Sequence, residues 1–141
     1  MFQIFNPFKS VTRNSEVLIT TWGIAPTHRM EEVIKNVSHA AKVKLLVGFS
    51  KETHDLKKLH QTLMYYKRLG WIVKAMPGFH AKIWLINNDC WVGSANWCPN
   101  TIHNYMHRTK ITTRIRNFTN LHWKNSYNVN ETTKLWLLAQ K

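Results

Sequence analysis

The chain has 141 residues, 44% of them apolar, with seven tryptophans, enough to bury one core, and it is read as a single domain over 1–141. Twenty Lys and Arg against seven Asp and Glu give a formal charge of +13 and a pI near 10.1, which points to a polyanionic partner, nucleic acid first. Two cysteines exclude a disulfide scaffold, and no apolar stretch approaches the roughly 20 residues of a membrane span.

The opening MFQIFNPFKSV lacks a basic start and a long apolar run, so no secretory signal is expected and the expected location is the cytoplasm. Val17 to Trp22 is rich in β-branched residues and reads as a strand, broken by Gly23 to Pro26. Thr27 is placed to cap a helix whose early turns carry Glu31 and Glu32, where the helix dipole favours anions. Met30, Val33, Ile34 and Val37 then fall on one helical stripe. Lys42 to Phe49 is a second strand. Asp55 caps a second helix with Leu56, Leu59, Leu63 and Tyr66 on its apolar face, ended by Gly70.

Trp71 to Ala75 reads as a third strand, closed by Pro77-Gly78. Ala81 to Ile86 and Cys90 to Val92 make a hairpin turned by Asn87-Asn88-Asp89, residue types that tolerate tight turns. The alternation from Tyr105 to Arg116 suggests another strand, and Phe118 to Trp123 and Thr132 to Leu138 suggest short helices. Strands alternating with helices predict an α/β fold with parallel strands, to which the hairpin adds antiparallel pairs.

The hairpin carries the chemistry. His80 and Lys82 are two apart on an extended segment, so their side chains share one side. Ser94 and Asn96 repeat that spacing just after the second strand. Together they offer one phosphate a nucleophile, a cation and two neutral hydrogen-bonding groups. His28, His39, His54, His60 and His122 have no such company and are read as structural. Cys90, Cys98, His103 and His107 are too widely spaced for the usual close cysteine pair of a zinc site, and the seven acids are too scattered to hold magnesium or calcium. Neither a metal nor a cofactor is therefore expected.

The segment HAKIWLIN followed by NDCWVGSAN resembles the HKD motif of the phospholipase D superfamily, HxKx4D with GSxN shortly after. Two positions depart from it: Asn87 stands where the motif has aspartate, with Asp89 two residues on, and the gap to Gly93 is shorter than usual. The resemblance implies a phospholipase D-like single-motif domain of α/β class, with a mixed, mostly parallel sheet flanked by helices. It also implies His80 as nucleophile, Lys82 as phosphate clamp, and Ser94 and Asn96 as their supports. With one motif per chain, it implies a homodimer in which two His80 residues share one site.

The expected activity is that of a metal-independent endonuclease, with DNA favoured over RNA. The expected substrate contacts are Trp97, Lys57, Lys58, Arg108 and Lys110. A catalytically silent nucleic-acid-binding or inhibitor protein and a phospholipid phosphodiesterase are the alternatives. The charge favours nucleic acid over a membrane surface as partner.

Overall fold

Apolar alternation builds the centre of the sheet. The computed structural model describes residues 7–24, 30–97 and 106–140. Strand β1 (Glu16–Trp22) and strand β2 (Lys42–Phe49) pair in parallel, and β2 pairs in parallel with β3 (Ile72–Pro77). Helix α1 (Glu31–Val37) and helix α2 (Leu56–Arg68) make the two crossovers. The remaining elements are β4 (Ile83–Ile86), β5 (Asp89–Gly93), β6 (Met106–Lys110), α3 (Thr113–Asn125), β7 (Tyr127–Asn128) and α4 (Leu135–Leu138). Seven strands form one sheet in the order β6-β5-β4-β1-β2-β3-β7.

One sheet face is the core. Val17, Ile19, Val43, Leu45, Val47, Phe49, Val73, Ala75, Trp84 and Ile86 alternate onto it and are buried. They lie in one cluster with Val33, Ile34 and Val37 of α1 and with Leu59, Leu63 and Tyr66 of α2, the predicted helical stripes. The Asp55 carboxylate accepts a hydrogen bond from the Lys58 N–H at 3.2 Å, and Gly70 follows α2 at φ +94°. Thr27 lies outside the described residues; the described helix starts at Glu31.

The fold is the expected mixed α/β sheet, but it is not mostly parallel: four of the six neighbouring pairs are antiparallel. Only a helical crossover returns a strand parallel to its neighbour, and the two parallel pairs follow α1 and α2. Three element boundaries also differ. The strand expected from Ala81 begins at Ile83. The strand expected over 105–116 ends at Lys110, and α3 starts at Thr113 because the Thr112 hydroxyl caps it by accepting from the Ile115 N–H at 3.1 Å. The expected C-terminal helix shrinks to Leu135–Leu138.

The opposite sheet face is crossed by α3. Its Phe118 and His122 meet Phe79, with ring centroids 6.2 and 5.1 Å away, while Trp123 lies beneath the ammonium groups of Lys44 and Lys74 at 5.0 and 5.1 Å. Lys74 also donates to the Trp123 carbonyl at 2.6 Å. Two half-buried lysines thus dock a helix that the sequence suggested only over 118–123.

Candidate active site

The parallel strands β1, β2 and β3 end at one edge of the sheet, where β4 begins and β5 ends. In open α/β sheets that edge is where loops gather into binding sites. The chain must pass from β3 to β4 across the ends of β2 and β1, roughly 14 Å at three strand spacings. Residues 78–82 make this crossing, and the Phe79 carbonyl lies against Gly48 of β2, where an added Cβ would be 1.6 Å from its oxygen. Glycine is what lets the segment bearing His80 lie flat on the sheet.

Trp22, the last residue of β1, receives that segment. The His80 ring stacks on its indole with centroids 3.7 Å apart and planes at 19°. The Thr20 hydroxyl, fully buried, donates to the Ala81 carbonyl at 2.9 Å and accepts from the Ile83 N–H at 2.8 Å. Both bonds fix the backbone between and beside His80 and Lys82. The Gly93 N–H donates to the Lys82 carbonyl at 3.4 Å, which puts Ser94 one residue beyond the crossing. Asn96 accepts the Trp22 N–H on its side-chain oxygen at 3.2 Å, leaving its amino group as a donor. His80, Lys82, Ser94 and Asn96 therefore share this edge, tied to one another through Trp22 and the Lys82–Gly93 bond. His80 and Ser94 are exposed, and Lys82 and Asn96 half-buried.

Thr20→Val is expected to cost about 2–4 kcal/mol, because it removes two hydrogen bonds and strands a buried N–H and carbonyl while keeping the side-chain shape. Denaturant unfolding checks this: a midpoint unchanged from wild type counts against the clamp.

The contacts expected elsewhere divide. Lys57 and Lys58 lie exposed in the first turn of α2, which follows the site end of β2. Trp97 is not at an entrance: it is 1% exposed, ringed by Phe8, Trp71 and Trp84, and its indole N–H donates to the Tyr66 hydroxyl at 3.0 Å. Its backbone N–H donates to the buried Thr21 hydroxyl, which turns the segment after Asn96 into the core. Burial also pushes the Tyr66 phenol well above its ordinary range. Arg108 and Lys110 do not join the site either. Strand β6 runs away from it, and Lys110 lies opposite Asp89 at the far end of β5. Arg108 grips both Asp89 carboxylate oxygens at 3.1 Å. Asp89 is thus spent on that pair and does not replace the motif aspartate near His80. Asn87 occupies the hairpin turn at φ +56°, also at the far end.

Cys98 and His103 of the rejected zinc arrangement lie outside the described residues, as does His28. Cys90 is a buried thiol on β5, and burial raises its pKa. His60 bonds the Asn130 carbonyl at 2.8 Å, away from the crossing.

His54 is different: read from sequence as structural only, it stands beside the site. Its ring meets the Trp22 indole edge-on with centroids 4.8 Å apart, and its Nδ1 accepts the Ser50 N–H at 3.1 Å. Gly23, at φ +69°, leaves room for it; a Cβ there would come within 2.6 Å of its Nε2. Neither Trp22 nor His54 belongs to the motif, and only the position of Trp22 at the end of a parallel strand signals it in the sequence.

Burial lowers the His54 pKa below its ordinary 6.5, and the neighbouring His80 lowers it further. A depressed folded-state value means that the neutral ring's contribution to stability is present above about pH 6.5 and is lost as pH falls through the lower folded value. Melting temperature is expected to drop over that window, and His54→Gln to flatten the drop; an identical pH profile for the variant contradicts the assignment.

The α/β fold that lays the His80 and Lys82 pair across the ends of its parallel strands is shared with solved structures, among them a phospholipase D family member. It superimposes on Nuc from Salmonella typhimurium, a phospholipase D family member, with a TM-score of 0.61 at 11% identity, covering 86% of this chain and 84% of that one. It matches NucT from Helicobacter pylori with a TM-score of 0.59 at 16% identity, covering 86% and 85%. A third match, at TM-score 0.52 and 16% identity, is to TrmBL2, an archaeal chromatin protein with a novel mode of DNA binding, of which it spans 47%. No family model matches the sequence, and no curated protein matches it.

Proposed function

We propose that the protein is a metal-independent endonuclease that cleaves nucleic acid, DNA in preference to RNA, through a phosphohistidine at a site shared by two copies. The observation that carries this is the crossing segment: His80 laid on Trp22, two residues from Lys82 and beside Ser94 and Asn96. The likeness to Nuc and NucT and the +13 charge support it.

A ring nitrogen of His80 attacks phosphorus, and the bond to the leaving oxygen breaks. Lys82 and the Ser94 and Asn96 donors hold the non-bridging oxygens as charge builds on them. The leaving oxygen takes a proton from His80 of a second copy. Water then attacks the phosphohistidine, giving its proton to that same second histidine and releasing His80. Since each chain supplies one such histidine, cleavage rate should rise with the square of protein concentration while the protein is mostly monomeric.

Plasmid and single-stranded substrates incubated with EDTA test the reading. Nicking that persists in EDTA and steepens with concentration is expected. Cleavage abolished by EDTA, or first-order in protein at concentrations where the protein is monomeric, overturns it. Binding should also weaken steeply with salt as phosphate counterions are released.

A second reading is favoured by the likeness to TrmBL2 and by Asn87 in place of the motif aspartate: a protein that grips nucleic acid without cutting it. Salt-sensitive binding with no turnover at any concentration would select it.

A further inference from the structure

The far end of the sheet holds a second cluster of cations. Beside the first residues of β1 and β2, beneath α3, lies a cavity of about 140 Å³ whose polar lining includes Lys42, Lys44, Arg116, Asn87, Asn120 and Glu16. Four segments that are distant in sequence build it: the starts of β1 and β2, the β4–β5 turn and the first half of α3. It lies on the face that α3 crosses, separated from Trp22 by the length of β1, six residue steps or roughly 20 Å.

Three cations face one carboxylate there. Among the described residues the ion pair formed is Arg108–Asp89, so Glu16 does not come within bridging distance of Lys42, Lys44 or Arg116. Lys44 is half-buried, and its pKa is lowered first by that burial and then by the charge of Lys42, with Glu16 opposing and Lys74 adding to the shift. Like charges gathered in a partly dry cleft repel each other, and an anion between them reverses the sign of that interaction. Asn87 and Asn120 add neutral amide donors. The guanidinium of Arg116 suits a tetrahedral oxyanion, which it can engage through two oxygens.

The departure at Asn87 gains a consequence here. An aspartate at that position would put a second carboxylate on the lining and halve the excess of three cations over one carboxylate, which asparagine keeps whole.

We infer that this cleft is a phosphate-binding site, separate from the His80 edge, taking a backbone phosphate of a nucleic-acid strand or a free phosphate anion. At 3.4 Å per step of one strand, roughly 20 Å corresponds to about six base pairs. The inference does not depend on the chemistry at His80.

Backbone-amide NMR with inorganic phosphate is the test, on the wild type, Arg116→Gln and Asn87→Asp. Saturable shifts are expected for the amides of Lys44, Asn87 and Asn120, with affinity about tenfold weaker in each variant. Asn87→Asp changes charge without changing shape and suits the positive φ of the turn, so it keeps the test valid should Arg116→Gln perturb α3. A second arm adds a ten-base-pair duplex to His80→Ala protein. Shifts at the same amides, reversed by phosphate, assign the site to a strand backbone; shifts with phosphate alone assign it to a free anion. No saturable shift with either probe, or equal affinities in all three proteins, overturns the site.

Discussion

His80→Ala is expected to lower the rate of phosphodiester cleavage by at least about 10⁴-fold, the scale seen when a nucleophile is removed from a concerted site. Binding should stay within a few-fold of wild type, because the positive charge that attracts the substrate is spread over many other residues. Lys82→Ala should cost less, about 10²–10³-fold, since it removes one source of charge stabilisation and leaves the covalent route intact. The contrast separates chemistry from folding: the His80 ring is exposed on Trp22, and its removal leaves the Thr20 hydrogen bonds in place. Rates in EDTA with matched binding curves measure both quantities, and reactions with labelled substrate quenched in denaturant at alkaline pH, where a phosphorus–nitrogen bond survives, should trap a protein-bound phosphoryl group in the wild type only. An unchanged rate in His80→Ala, or a trapped adduct that survives the substitution, is incompatible with His80 as nucleophile.

Gly48→Ala is expected to be the most damaging single methyl in the chain's crossing region, at more than about 3 kcal/mol, or a melting temperature lower by roughly 10 °C. The added Cβ meets backbone on both counts, 1.6 Å from the Phe79 oxygen and 2.6 Å from its carbonyl carbon, so no side-chain rotation relieves it. The crossing must lift off β2, and His80 moves with it. Gly78→Ala is the control. It sits in the same crossing at φ +75° with open space around its Cβ, so its cost is backbone strain alone, about 1–2 kcal/mol. Thermal unfolding of the two variants checks the difference, and equal losses would mean that steric contact at Gly48 is not what matters. Gly48→Ala that remains folded should still lose cleavage, while Gly78→Ala should retain more of it.

Several features needed nothing beyond the order of residues. The runs from Val17 and Lys42 alternate and are bounded by turn formers, and the Leu56–Tyr66 stripe has helical spacing, an Asp55 cap and a Gly70 stop. Local rules place such elements because the information lies within a few residues. The motif pair was legible for the same reason: His80 with Lys82, and Ser94 with Asn96, are short-range patterns.

What the sequence did not place was long-range. Trp97 follows the motif and carries a stacking ring, yet the Thr21 hydroxyl turns its backbone inward and its indole joins Tyr66 in the core. Arg108 and Lys110 are basic and close in sequence to the motif, but the β5–β6 register carries them to the other end of the strand. His54 has no motif around it and still meets Trp22, because β1 and β2 are neighbours.

By itself, the sequence determined the short-range spacing of the candidate site residues, the central strands and helices, and the strongly basic composition. Only the tertiary structure decided which groups share an edge of the sheet. That choice depends on strand order and direction, which are set by crossovers and by one close backbone approach at Gly48, and neither is written in any local pattern of residues.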